Sequence, residues 1–365
     1  MSMVEWKKLG TITDIGTGSN NREDACEDGL YPFYVRSKEV LRINSFLYDE
    51  EAILIPGEGG IGEIFHYVNG KYGLHQRTYR VHPISKEING RYLYYFLYEN
   101  FGQYIEQKSY KATAASIRKP MLFDFPVAVP SLYEQKRIIG ILDTFTAAIE
   151  NLKAQIANRR KQYEHYRDQL LDLEGKPGVE MKTLGEVCGI FDGTHQTPKY
   201  QEEGIKFVSV ENITNLYASN KYISFEDYQN NYKTKPQKGD VLMTRIGDVG
   251  SCAVIDRDEP IAYYVSLALL RPSVNLLLSN YLKYLLESTT GKIELRKKTL
   301  LTAVPLKINL GDIGKLKLPL PSLSEQSRIV SILDTFEASI ANLEAQLKER
   351  EKQYEYYRNK LLTFE

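Results

Sequence analysis

A mixed α/β (α+β) chain is predicted, with two globular domains joined by two long antiparallel coiled-coil helices in a pseudo-twofold internal repeat. Three observations carry this. Residues 130–174, PSLYEQKRIIGILDTFTAAIENLKAQIANRRKQYEHYRDQLLDLE, and residues 321–365, PSLSEQSRIVSILDTFEASIANLEAQLKEREKQYEYYRNKLLTFE, match without a gap at 28 of 45 aligned positions. Within each copy, apolar or aromatic residues recur at alternating steps of four and three, the spacing of a coiled-coil seam. Ahead of each copy the sequence breaks into short apolar runs punctuated by Gly, Asn and Asp, as strands and turns do.

Taken in order, residues 1–129 form the first globular domain. Its runs WKKLGTITDIGTGSN, YPFYVRSKEV, AILIPGEGGIGEIFHYV and QRTYRVHP read as strands and turns, and the aromatic stretch RYLYYFLYENFGQYI reads as one helix. Residues 130–174 are the first rod. Its stripe runs through Ile138, Leu142, Phe145, Ile149, Leu152, Ile156, Tyr163, Tyr166, Leu170 and Leu173, broken only by Arg159. Ser131 three residues before Glu134, and Ser322 three before Glu325, predict a capping box at each rod start. About 40 helical residues would extend roughly 60 Å.

Residues 175–178, GKPG, form a linker, after which the landmarks return in residues 179–320, the second globular domain. EMKTLG echoes EWKKLG, VLMTRIGDVG lies over ILIPGEGGIG, and YLKYLL lies over YLYYFL. Residues 321–365 are the second rod, with its own stripe from Ile329 to Phe364 broken by Arg350 in the same slot. Tyr163, Tyr166, Tyr354 and Tyr357 keep the heptad phase and are expected in the seam. The rods barely diverge while the globular domains diverge widely. This contrast implies one duplicated scaffold carrying two related but distinct readers, with the second rod returning antiparallel beside the first domain.

Charge is balanced at 47 basic and 47 acidic residues, so no global field draws the chain to nucleic acid or an anionic membrane. Cys26, Cys188 and Cys252 have no paired spacing, which predicts reduced thiols rather than a disulfide framework or zinc site. MSMVEWKKLG lacks a signal-peptide run, and no stretch reaches the roughly 18 apolar residues of a membrane span. A cytoplasmic protein is expected.

Catalytic signatures are absent. Gly57, Gly59 and Gly62 satisfy GxGxxG, but Pro56 interrupts the preceding run, the next segment EIFHYVNGKYG is strand-like, and no acidic residue sits about 20 positions on. A glycine-rich hairpin turn is the expectation. There is no GxxxxGK[ST], no Asp/Asn-Pro-Pro-aromatic run, no metal spacing among the five histidines and no nucleophile elbow.

The arrangement as a whole resembles the specificity subunits of type I restriction-modification systems. The resemblance rests on PSLxEQxRIxxILDTF and then a helix ending KQYExYRxxLL, twice. It rests also on the run Asp192-Gly193-Thr194-His195-Gln196-Thr197-Pro198-Lys199-Tyr200, and on Gly57 to Gly60 with Gln76, Arg77 and Tyr79. It implies a non-catalytic chain with two target-recognition domains, each reading one half of a split asymmetric site in double-stranded DNA. It implies that the rods bind two copies of an adenine-N6 methyltransferase subunit, which would hold S-adenosylmethionine, so this chain itself carries no cofactor. Restriction would need a further translocase-nuclease subunit.

Arg and Lys read guanine edges and Asn and Gln read adenine, so polar residues in turns are the DNA-contact candidates. In the first domain these are Asn20, Asn21, Arg22, Gln76, Arg77, Lys108, Lys111, Arg118 and Lys119. In the second they are Thr194, His195, Gln196, Lys199, Arg245, Arg296, Lys297 and Lys298. For the lysines the plainer reading is a solvated charged face. Arg137 and Asp143 recur as Arg328 and Asp334, which makes them candidates for docking the methyltransferase or for pairing with neighbouring charges. Two other readings remain at this point: an adaptor holding two partner proteins at a fixed separation, and an enzyme with an unrecognised site.

Overall fold

The computed structural model describes residues 4–109 and 116–364, with the side chains at 108 and 109 left out. The chain divides into two compact units. The first comprises Met1–Lys153 with Ala345–Glu365, and the second Ala154–Glu344.

The first unit carries strands β1 (Glu5–Lys8), β2 (Thr13–Thr17), β3 (Tyr31–Tyr34), β4 (Val40–Ile43), β5 (Tyr48–Pro56), β6 (His66–Leu74), β7 (Thr78–Pro83) and β8 (Pro126–Val129). Six of them form one sheet in the order β2-β7-β5-β6-β3-β4, and β1 pairs antiparallel with β8. Every pairing in the larger sheet is antiparallel except β3 with β6. Strand β5 is central, and its run Ala52 to Ile55 is fully buried because both of its faces meet a core. Ile53 and Ile55 point to the aromatic helix Gly90–Ser109 and pack with Tyr92, Leu93, Phe96 and Leu97. Ala52 and Leu54, one residue out of phase, pack with Val68, Tyr72 and Leu74 on the other side.

The second unit repeats this plan with β9 (Glu180–Thr183), β10 (Cys188–Asp192), β11 (Ile205–Val208), β12 (Tyr222–Ile223), β13 (Val241–Thr244), β14 (Cys252–Val254), β15 (Ile261–Tyr263), β16 (Leu267–Pro272) and β17 (Lys317–Leu320). The pairings β10-β16-β13-β14 and β12-β11-β15 reproduce the first sheet, with β6 replaced by the two pieces β14 and β15. Again one strand meets a parallel neighbour, β11 with β15. Val241 and Met243 pack with Tyr281 and Leu282, while Leu242 packs with Val208 and Tyr263.

The rods are the helices Leu132–Leu171 and Leu323–Leu362. Within the first unit Phe145 stacks on Tyr357 at 5.4 Å and Lys153 pairs with Glu351 at 3.1 Å. Within the second unit Arg160 pairs with Glu344, and Tyr166 stacks on Phe336 at 5.5 Å. In both, one number rises as its partner's falls, so the contacts run antiparallel, and the tyrosines lie in the seam. Ser131 and Ser322 each accept from a main-chain N–H three residues on, at 3.3 Å. The glutamates do not complete a capping box. Glu134 and Glu325 turn instead to the guanidinium one helical turn along, Arg137 and Arg328, which binds both carboxylate oxygens.

A second repeated device ties each rod to its sheet domain. Gln135 is fully buried, donates to the carbonyls of Glu87 and Pro130, and accepts from the main-chain N–H of Asn89. Gln326 does the same with Leu276, Pro321 and Leu278. One stretch departs from its expected conformation: Leu9–Ile12 is a helical turn between strands. Leu9 and Ile12, three apart, both enter the core, which a continuous strand would not allow.

The GxGxxG stretch is the loop joining antiparallel β5 and β6, not a phosphate cradle. Gly59, Gly60 and Gly62 all take positive φ, and a Cβ at Gly62 would lie 2.8 Å from Gly102 of the aromatic helix. Glycine serves the turn and the close approach.

Candidate nucleic-acid interface

Each sheet domain presents one polar turn, in the same place and built by the same main-chain logic. In the first, the chain leaves β2 and the Asn20 N–H donates to the Leu74 carbonyl at 3.2 Å, while the Gln76 N–H donates back to the Asn20 carbonyl at 3.0 Å. In the second, it leaves β10, Thr194 donates to Tyr263 at 3.1 Å, and Val265 donates back to Thr194 at 2.9 Å. A glycine precedes each turn for a steric reason. A Cβ at Gly18 would sit 1.9 Å from the Leu74 carbonyl oxygen, and one at Gly193 would sit 2.5 Å from the Tyr264 backbone.

The side chains on the two turns differ. In the first, the Gln76 amide donates to Asn21 Oδ1 at 2.7 Å, and both residues are exposed. Arg22 is exposed on the short turn next to them. Arg77 is exposed and shares Glu58 with Arg36, at 2.9 and 3.0 Å, which ties the glycine-rich loop to this edge. Main-chain bonds from Ile117 to Gly57 and from Gly57 to Arg77 bring exposed Arg118 and Lys119 to the same loop. Lys111 lies outside the described residues, as does the side chain of Lys108.

In the second turn His195 and Gln196 are exposed and Thr194 is half-buried. Asp192 organises them. One carboxylate oxygen lies 2.8 Å from His195 Nε2, the other accepts from Arg245 Nη2 at 2.8 Å, and the Asp192 carbonyl accepts from the Tyr263 hydroxyl at 2.9 Å. Arg245 is only 8% exposed and also donates to the Val265 carbonyl. The structure therefore makes Arg245 an internal strut behind the turn rather than a group turned outward. Lys199 is exposed further along. Arg296, Lys297 and Lys298 occupy the last turn of a separate helix, Thr289–Lys298, where cations suit the helix dipole, and Lys297 is paired with Glu294. Sequence reasoning missed the part played by Asp192 and Tyr263. The only signal was the Asp-Gly step, whose glycine marks a close backbone approach.

The repeated rod residues have local partners. Asp143 accepts from Arg91 and from the Tyr95 hydroxyl, and Asp334 accepts from the Tyr284 hydroxyl at 2.6 Å. Asp143 thus clamps the helix Gly90–Ser109 to the first rod, and Asp334 clamps the helix Ser279–Glu287 to the second. Among the described residues no group of three His, Cys, Asp or Glu could hold a metal ion, and no helix is long and apolar enough to cross a membrane.

Two sheet domains of one plan, each holding out a glycine-pinned polar turn of its own composition and each clamped to a duplicated rod, define a two-headed recognition protein. The chain belongs to the type I restriction-modification DNA specificity family, whose model matches residues 1–159 and 177–352. It is 26% identical to a Haemophilus influenzae protein named as a type I restriction enzyme specificity subunit, over 100% of this chain and 96% of that one. To the EcoDI specificity subunit of Escherichia coli it is 35% identical over 46% of this chain and 37% of the relative. The fold matches that of the type I restriction-modification S subunit from M. genitalium with a TM-score of 0.66 at 17% identity, covering 100% and 97% of the two chains. The protein is thus a specificity subunit, of a family defined by DNA recognition rather than catalysis, and its two matched segments fit a two-part site.

Proposed function

We propose that each head reads one half of a bipartite, asymmetric site in duplex DNA, and that the rods carry two adenine-N6 methyltransferase subunits. The observation that carries this is the pair of turns: the same backbone position holds Asn20 and Asn21 in one head and Thr194 and His195 in the other, with Gln76 beside the first and Gln196 following the second. One frame with two sets of hydrogen-bonding side chains gives two related but unlike base preferences. Methyl transfer and base flipping belong to the partner, which supplies S-adenosylmethionine, and restriction would require a further translocase-nuclease subunit. The duplicated rods support two copies of the partner, with exposed Arg137 and Arg328 as contacts on the second turn of each.

The test is single-molecule sequencing of DNA from a methylation-free host expressing this chain with its methyltransferase, against each alone. Modified adenine only in the pair, at a split motif with unlike halves, is the expected result. An assembled pair that modifies nothing would overturn the reading. Salt titration separates DNA recognition from protein-only adaptor behaviour, because phosphate contacts make affinity fall steeply with added salt.

A further inference from the structure

The two heads differ most between the strand at the sheet edge and the central strand. In the first head residues 44–47 connect β4 to β5. In the second, residues 224–240 connect β12 to β13 and include the helix Phe225–Asn231. The segment continues as Tyr232, Lys233, Thr234 and Lys235, and it faces the Asp192–Gln196 turn across a cleft. Residues 191–196 line one side of that cleft and 231–234 the other. It runs on into a second hollow lined by Gln229, Asn230, residues 232–235 and Arg271.

The base of the segment is fixed. Asp240, 3% exposed, binds Arg271 through both oxygens at 2.7 and 2.8 Å and accepts from the Gln237 N–H at 2.9 Å. Arg271 in turn donates to the Lys235 carbonyl at 2.9 Å. Lys235 pairs with Gln229 and lies over the Tyr228 ring. The outward side chains are held far less tightly: the Asn231 amide donates one long bond to Asp227 Oδ1 at 3.5 Å. Asn230, Asn231 and Lys233 are exposed, and Asn230 and Lys233 have no side-chain partner among the described residues. Tyr232, only 6% exposed, lines both hollows, and its hydroxyl is buried without a hydrogen-bond partner. Among the described residues Asp192 is the one acidic group lining either hollow, and Arg245 with His195 already engages it.

We propose that residues 229–235 are a second DNA-reading element present in this head alone, with Asn230 and Asn231 at base edges and Lys233 on a phosphate. Asparagine offers the donor and acceptor pair that adenine presents in the major groove, and an unpaired lysine beside it supplies sequence-independent attraction. A rigid base under exposed polar tips is the arrangement such a reader needs. The element widens the stretch of DNA the second head inspects relative to the first. The inference rests on the recognition reading above.

The experiment uses the full chain with its methyltransferase. Gln196→Ala first identifies which half-site belongs to the second head. Asn230→Ala with Asn231→Ala is then expected to relax roughly tenfold the preference at one or two further positions of that same half, leaving the other half unaltered. Lys233→Ala is expected to weaken binding evenly across sequences and to reduce the slope of log affinity against log salt by about 1. An unchanged motif and rate in the asparagine double variant, or a change confined to the other half-site, would overturn the proposal. If that variant fails to assemble, the Lys233→Ala salt slope decides, and an unchanged slope overturns it. If the wild-type pair modifies no DNA, recognition itself fails and this element falls with it.

Discussion

The guanidinium of Arg350 lies over the ring of Phe145, 5.6 Å from its centroid, and in the other unit Arg159 lies over Phe336 at 5.8 Å. These arginines are the two breaks in the apolar stripes. Each seam slot is filled by the stem and flat charge of an arginine covering the opposite aromatic ring. Arg350→Ala should therefore cost about 0.5 to 1 kcal/mol, the worth of an exposed cation–π pair, and Arg350→Lys most of that. Urea unfolding of the two variants checks it. No change in midpoint would make the arginine a bystander.

Gln326 offers a larger effect. Its amide is fully buried with three main-chain partners, so Gln326→Ala strands two carbonyls and one N–H at the joint between rod and second sheet domain. The expected loss is about 3 kcal/mol, since each buried unpaired group costs roughly 1 to 3 kcal/mol. Gln135→Ala should cost a similar amount in the first unit. Calorimetry should show the two variants lowering different portions of the unfolding profile. Identical profiles would mean that the units melt as one.

The rods, the repeat and the hairpin at Gly57 to Gly62 were legible because period and glycine placement are local signals. The seam tyrosines followed from phase alone. What stayed hidden was anything decided by a distant partner. Nothing near Arg245 in the sequence says that Asp192 and the Val265 carbonyl will draw it inside, and a lone arginine in a turn reads equally well as a DNA contact. Glu134 looked like a cap residue until Arg137, on the same helix face, proved the stronger partner. Residues 229–235 carry no motif, and only their place across from the Asp192 turn gives them meaning.

Glu287 predicts a pH effect. Burial, partly offset by the Cys252 N–H and Lys283, raises its pKa above the ordinary value. For an acid raised on folding, the stabilising neutral form is fully populated below the unfolded pKa. That contribution is lost as pH rises through the folded value. Glu287→Gln keeps an acceptor for Cys252 and removes the buried charge. The variant should melt higher than wild type at pH 7 to 8 and match it near pH 4. A wild-type advantage at neutral pH would show that the Lys283 attraction outweighs burial.

The cysteines should separate by reactivity. Burial pushes the Cys188 thiol up to about 12 and Cys252 well above its ordinary value, whereas Cys26 is half-exposed. Thiolate is the reactive form, so at pH 8 a thiol reagent should modify Cys26 quickly in the native protein and the other two only after denaturation. Fast labelling of Cys252 would place the β13-β14 edge open in solution.

Arg77 and Arg245 both stand beside the polar turns, yet the structure gives them opposite duties. Arg77 is exposed and shares one carboxylate with Arg36, so its removal should leave stability within about 0.5 kcal/mol of wild type, as for most surface changes. DNA affinity should fall and the salt slope flatten if it meets a phosphate or a guanine. Arg245 is buried, and its loss strips Asp192 of a cation and the Val265 carbonyl of a donor. Arg245→Ala should cost about 2 kcal/mol, below the range for a fully buried pair because Asp192 is 29% exposed. It should weaken recognition only by loosening the turn that holds His195 and Gln196. Arg245→Lys should rescue little, since an ammonium cannot serve both Asp192 and Val265 in the planar fork geometry. Melting curves and DNA binding measured on the same preparations distinguish a strut from a contact: for Arg245 both should fall together, and for Arg77 binding alone.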